Sequence, residues 1–206
     1  MPKPDVSLAE QYSALAAAAV AVKLGLPQED IAAGFGDIKP YAGRMQRLNG
    51  IKNSVIIDDS YNASPAAMKL ALDELYKQQA PQKIALLGNM NELGDYAKQA
   101  HQEIGDYCDP KRLDLVVTLG PEANEFLAPA AQAKGCQVKS FDSPYDAGEY
   151  IKSVIKDKAV ALIKGSQNKV FAEEAIKSLL ANKADDVKLV RQSPQWLDIK
   201  KQAFGK

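Results

Sequence analysis

The sequence predicts an α/β fold, an open and mostly parallel sheet with helices on both faces, preceded by a short helical segment. Three observations predict it. Short apolar stretches alternate with longer segments of helical periodicity from residue 53 onward. The stretches Val55-Ile56-Ile57, Ile84-Ala85-Leu86-Leu87 and Val160-Ala161-Leu162-Ile163 are apolar at consecutive positions. Both faces of such strands need cover, as in a parallel sheet between helical layers. Strand–helix pairs recur at intervals of about 25 residues, which suits parallel strands joined by right-handed crossovers.

The elements follow in order. Residues 7–24 read as a helix, with Asp5 or Ser7 as cap, Leu8, Tyr12, Leu15, Ala19 and Val22 at helical spacing, and Gly25 as its end. A second helix starts at Pro27 and presents Ile31 and Phe35. Lys39 to Gly43 reads as a connector. Met45–Leu48 and Ser54–Ile57 flank Asn49-Gly50, a hairpin signal. Strands are then expected at 53–58, 83–87, 114–118, 136–141 and 159–163. Helices are expected at 65–79, 97–107, 121–134, 144–157 and 169–182, with a last strand candidate at Val187–Val190. The tail from Ser193 carries Trp196, Leu197, Ile199 and Phe204 at mixed spacing, and reads either as a loose amphipathic segment or as a packing arm.

Composition excludes several classes. Lys plus Arg equals Asp plus Glu at 26 each, so the 206-residue chain has no net positive charge to hold nucleic acid or a membrane surface. No apolar run reaches the roughly 18 residues that span a bilayer. Cys108 and Cys136 form no CxxC pair and read as reduced packing cysteines of a cytoplasmic protein. Neither GxxxxGK[ST] nor GxGxxG occurs. His101 is the sole histidine and reads as a buried or capping residue, and no cluster has metal-ligand spacing.

Open α/β sheets bind ligands beyond the carboxyl ends of their strands, so the segments after each strand are where chemistry is expected. After the first core strand stand Asp58-Asp59-Ser60-Tyr61-Asn62-Ala63-Ser64-Pro65, whose carboxylates either serve a ligand or only end the strand and cap the turn. After the second stands Gly88-Asn89-Met90-Asn91-Glu92-Leu93-Gly94, a plain connection or one whose glycines let a ligand approach the backbone. After the fifth, Lys164-Gly165-Ser166-Gln167-Asn168 is a helix cap or an anion site.

Gly43-Arg44-Met45, the run from Ile57 to Pro65, the run from Leu87 to Gly94, and Lys164-Gly165-Ser166 occur in an order that resembles the C-terminal domain of the Mur ligase family. Within it, the likeness is to the branch whose incoming amine is D-alanyl-D-alanine. His101 and Gly105 also fall where that family places them, and the likeness covers roughly residues 7–182.

The resemblance implies a Rossmann-like domain at 40–192, a helical remnant of the family's central ATPase domain at 1–39, and a tail at 193–206. It implies ATP contacts by Arg44, Asp59, Tyr61 and Asn62, and contacts to the other substrates by Asn89, Asn91, Glu92, Lys164, Gly165 and Ser166, with no catalytic residue or metal ligand. The residue chemistry agrees, since a guanidinium suits phosphate and a carboxylate suits ribose hydroxyls. ATP and Mg2+ are implied for the full-length enzyme, with the Mg2+ ligands outside this chain. The implied partners are ATP, D-alanyl-D-alanine, a UDP-muramoyl peptide and the family's N-terminal and central domains, but neither nucleic acid nor membrane. The implied setting is a cytoplasmic monomer in peptidoglycan biosynthesis, and through it cell-wall growth, cell shape and division. Because the phosphate-binding loop is absent from the sequence, the chain reads as the closing half of a ligase and is not expected to act alone. Departures from the family pattern are Asn89 for a frequent Asp, Gln167 for a frequent Arg, and Ala9, Glu10 and Ser13 for residues near the adenine. The alternative is a non-catalytic Rossmann-like nucleotide-binding or scaffolding module.

Overall fold

The computed structural model describes residues 8–37 and 41–205. The Asp5 or Ser7 cap and the first residues of the Lys39–Gly43 connector lie outside the described residues. The chain divides into two units, Met1–Pro40 and Tyr41–Lys206.

The first unit holds α1 (Leu8–Lys23) and α2 (Gln28–Asp37). Gly25 ends α1 as its sequence predicts, at φ +79, where the amide of Leu26 reaches the carbonyl of Ala21. Tyr12, Leu15 and Val22 of the predicted apolar stripe are each more than 60% exposed, at 66%, 62% and 66%. Two short helices have no core of their own to cover that stripe.

The second unit is the predicted α/β sheet. Its strands are β1 (Gln46–Asn49), β2 (Val55–Asp59), β3 (Lys83–Gly88), β4 (Leu115–Leu119), β5 (Val138–Phe141) and β6 (Val160–Lys164), in the order β1-β2-β6-β3-β4-β5. Only β1 is antiparallel, as the hairpin partner of β2. The helices are α3 (Pro65–Lys77), α4 (Ala97–Tyr107), α5 (Ala128–Ala133), α6 (Pro144–Val154), α7 (Glu173–Lys177) and α8 (Pro194–Phe204).

Successive strand residues feed opposite faces, so the doubly apolar runs build two cores. Ile56, Ile84, Leu86, Ala161 and Ile163 pack with Ala147, Ile151, Ala175 and Ile176 of α6 and α7. Ile57, Ala85, Leu87 and Leu162 pack with Met68, Leu72, Ile104 and Ala131 of α3, α4 and α5. Ser64 caps α3, accepting from the amide of Ala67, and Pro65 opens it.

Three elements differ from the sequence-based expectation. The helix expected at 121–134 starts at residue 121 as expected but carries a π-helical stretch over Ala123–Leu127 before α5. The helix expected at 169–182 shrinks to α7, because Asn168, Lys169 and Phe171 adopt positive φ and delay its start. Val187–Val190 is no strand, since a 3-10 turn spans Lys183–Lys188. The tail is a helix, α8, whose Lys200 is 1% exposed.

Candidate functional site

The parallel pairing of β2 with β6 and of β6 with β3 brings their carboxyl ends together. The three loops singled out in the sequence therefore meet. Asp59 and Lys164 are register partners and project to the same face. The Lys164 ammonium lies 2.5 Å from Asp59 Oδ2 and donates a second proton to the carbonyl of Asn62 at 2.9 Å. Asp59 Oδ1 accepts from the amide of Met45 at 3.1 Å. Burial pulls the Lys164 ammonium below its ordinary range, while Asp59 opposes that shift. A buried charge is tolerable when paired and hydrogen-bonded in this way.

Asp58 faces the opposite core. Its Oδ1 accepts both the amide and the hydroxyl of Ser60, at 3.0 and 2.6 Å, and so shapes the turn after β2. Its Oδ2 has no hydrogen-bond partner among the described residues. Burial raises this carboxyl to about 6, against the two bonds from Ser60. Of the paired carboxylates, Asp58 is thus the turn former and Asp59 the ion-pair partner.

Arg44 and Tyr61 stand outside this buried layer. Gly43, at φ +67, accepts the amide of Tyr61 at 3.0 Å, which fastens the connector to the loop after β2. The Arg44 guanidinium sits over the exposed Tyr61 ring, 4.2 Å from its centroid. An exposed guanidinium over an exposed ring offers a cation and an apolar flat surface side by side.

Side chains tie the loops to one another. Ser166 donates to Asn62 Oδ1 at 2.8 Å, and Asn91 donates to the carbonyls of Gln167 and Asn168 at 2.5 and 3.0 Å. The Ser166 amide donates to the carbonyl of Asn89. Gly88 and Gly165 are buried where β3 and β6 end, and a Cβ on Gly88 would lie 3.1 Å from the Gly165 Cα. These glycines are needed because the two backbones approach closely.

Asn89 turns away from the loop surface: its Oδ1 accepts the amide of Ala123, capping the helix after β4. Glu92 is exposed at φ +65. His101 is fully buried, with Nε2 accepting from the amide of Met90 at 2.9 Å and Nδ1 2.8 Å from the carbonyl of Ala97. These contacts fit the neutral tautomer carrying its proton on Nδ1. It is a structural anchor of the 88–94 loop. No group of three His, Cys, Asp or Glu side chains among the described residues is placed to hold a metal ion, and no described helix is long and apolar enough to cross a membrane.

Sequence reasoning missed a second charged cluster, Glu173, Glu174, Arg191 and Lys200. The Arg191 fork meets both oxygens of Glu173 at 2.8 and 2.7 Å. Lys200 bridges Glu173 and Glu174 at 2.9 and 2.6 Å. Burial pushes Glu174 up, but bonds from Lys177 and Lys200 win and hold it below the ordinary carboxylate range. The available signal was the adjacent pair Glu173-Glu174 inside an apolar stretch.

Residues 43–167 match the family described as "Mur ligase, glutamate ligase domain". The chain is 30% identical over 173 residues to the UDP-N-acetylmuramoyl-tripeptide–D-alanyl-D-alanine ligase of Haemophilus influenzae, covering 81% of this chain and 36% of that protein. The ligase of the same name from Bacillus subtilis is 30% identical over 171 residues, 82% of this chain and 37% of its own length. The chain thus spans about a third of the length of these relatives. Among solved structures, the MurF ligase of Thermotoga maritima in complex with ADP superposes with a TM-score of 0.63 at 27% identity, over 78% of this chain and 35% of that one. A MurF structure from Acinetobacter baumannii gives 0.67 at 28%, over 80% and 35%. The family match extends over more than half of the chain, and the strand-end loops that carry the resemblance converge in space: this protein belongs to the Mur ligase family.

Proposed function

We propose that this chain acts as the closing, C-terminal domain of a cytoplasmic ATP-dependent peptidoglycan-precursor ligase. In this reading it packs over ATP and receives D-alanyl-D-alanine for attack on an acyl phosphate of a UDP-muramoyl peptide. The observation that carries it is the Arg44–Tyr61 platform beside the Asp59–Lys164 pair, at the carboxyl ends of β2 and β6.

The residues fit a nucleotide in part. Arg44 is exposed and offers a guanidinium to phosphate, and the Tyr61 ring offers a face to an apolar or aromatic group. Asp59 is 8% exposed with both oxygens engaged, yet a carboxylate keeps further acceptor sites for a ribose hydroxyl. Asn62 and Lys164 then act mainly by holding Asp59 and the loops in place. On the other side, Asn91, Glu92, Gly165 and Ser166 frame the segment that would meet the incoming dipeptide. Such a domain lowers a barrier by positioning and charge neutralisation, and its motion would be a hinge closure about residues 38–43. Mg2+ would be held by the rest of the enzyme.

Two-dimensional NMR of the chain tests this. Titration with ADP or ATP should shift Arg44, Asp59 and Tyr61, and D-alanyl-D-alanine should shift Asn91 to Glu92 and Gly165 to Ser166. Arg44→Ala should weaken nucleotide binding by about tenfold, the loss of one charge-assisted contact. Nucleotide shifts confined to other surfaces would refute the assignment. Robust ligation by this chain alone, given ATP, UDP-muramoyl tripeptide and D-alanyl-D-alanine, would refute the closing-domain role.

A further inference from the structure

The buried Glu173–Glu174–Arg191–Lys200 cluster is separate from Arg44, Asp59 and the other proposed ligand contacts, yet one of its members reaches the loop after β2. Arg191 Nη2 donates to the carbonyl of Ser60 at 2.7 Å, and Nη1 to the carbonyl of Tyr61 at 3.2 Å. The same guanidinium lies 5.9 Å from the centroid of the Tyr61 ring, whose nearer cation is Arg44. One planar fork therefore spans Glu173, two consecutive loop carbonyls and the edge of the platform, a geometry open to arginine and closed to lysine.

Arg191 is itself fixed from behind. Its backbone carbonyl accepts the Lys200 ammonium at 2.7 Å, and its φ is +56, an unfavourable value held by these contacts. Lys200 belongs to α8, which is seated by aromatic packing: Phe171 meets Trp196 and Phe204 edge-on at 6.2 and 6.1 Å. Within the buried part, Arg191 and Lys200 face Glu173 and Glu174, and the part-exposed Lys177 adds a further cation 2.8 Å from Glu174, so neither buried carboxylate lacks a counter-charge.

We propose that Arg191, braced by Glu173 and by Lys200 of α8, is a positioning residue that sets the Ser60–Tyr61 backbone and with it the Arg44–Tyr61 platform. Its functional weight rests on the reading of that platform as the nucleotide-facing surface, but its structural content does not. The C-terminal segment 191–204 is in this account a brace for the site, although it lies far from the site in sequence.

The experiment uses the whole chain and three variants: Arg191→Lys, Arg191→Gln and, as a core-loosening control on the same face of the sheet, Ile151→Val. Without ligand, the side-chain protons of Arg44 should carry an upfield ring-current shift from Tyr61, and the Tyr61 amide, bonded to Gly43, should be slow to exchange. Both Arg191 variants should lose most of the Arg44 shift and speed Tyr61 amide exchange by about tenfold. Amides of β3 and β4 should be unchanged, and Ile151→Val should leave the Arg44 shift in place. In ADP titrations, Arg191→Lys should weaken affinity about fivefold. An unmoved Arg44 shift in Arg191→Lys, or an equal loss in Ile151→Val, overturns the proposal. Absence of ADP binding by the wild-type chain would instead count against the nucleotide reading, and the ligand-free shifts would still decide on Arg191.

Discussion

Lys164, the last residue of β6, places its ammonium 2.5 Å from the carboxylate of Asp59, the last residue of β2, and the lysine side chain is 2% exposed. Two charges at the ends of adjacent strands are thereby removed from water together. Breaking such a pair by deleting one partner leaves a bare buried charge, at a cost of about 3–5 kcal/mol. Lys164→Met should lose stability in that range by urea denaturation. Asp59→Asn combined with Lys164→Met should recover most of the loss, and simple additivity of the two single variants would show that the pair is not coupled.

Asp58 gives a pH signature. Its carboxyl is raised from 3.8 to about 6 by burial, so between those values the folded chain keeps a proton that the unfolded chain has released. Stability from this group therefore falls as pH rises through that window and levels off above it, by about 3 kcal/mol at the full shift. Asp58→Asn cannot ionise. Its stability relative to wild type should improve progressively from pH 4 to pH 7 in chemical denaturation, and a pH-independent difference would contradict the assignment.

His101 anchors the 88–94 loop through the Met90 amide. His101→Phe would strand that amide in a dry interior, at about 1–3 kcal/mol. His101→Gln, which keeps an acceptor, should lose less. Hydrogen exchange at Met90 should speed up in the phenylalanine variant and much less in the glutamine one. Equal behaviour of the two would mean that ring volume, not the bond, matters.

Gly88 tests the close approach of the loops. Its added Cβ would meet Val170 Cγ1 at 2.6 Å and the Gly165 Cα at 3.1 Å. Gly88→Ala should cost about 1–3 kcal/mol as overpacking. Val170→Ala in the same chain should restore part of that, because it clears the side chain but not the Gly165 backbone. Thermal unfolding of the single and double variants measures both, and an unaffected single variant would argue against tight contact.

The sequence by itself determined the layered α/β fold, because consecutive apolar residues in three strands call for a sheet covered on both faces, and Gly25 ends α1 through local backbone chemistry. It also marked the three loops that carry the family resemblance. Tertiary structure alone decided which residues in them are exposed. Asp58 and Asp59 are neighbours in sequence, yet strand alternation sends one toward a turn and the other toward Lys164, 105 residues away. Asn89, which the resemblance marks as a substrate contact, also accepts the amide of Ala123 and so caps the helix after β4, a partner that comes from the next strand's connection. The positive φ of Asn168, Lys169 and Phe171 delays α7, and the 3-10 turn at Lys183–Lys188 takes the place of the strand expected at Val187–Val190, while the burial of Lys200 follows from its long-range contacts with Glu173 and Glu174. Period and propensity report which face a residue takes along its own element; they carry no information about which distant charge will neutralise it.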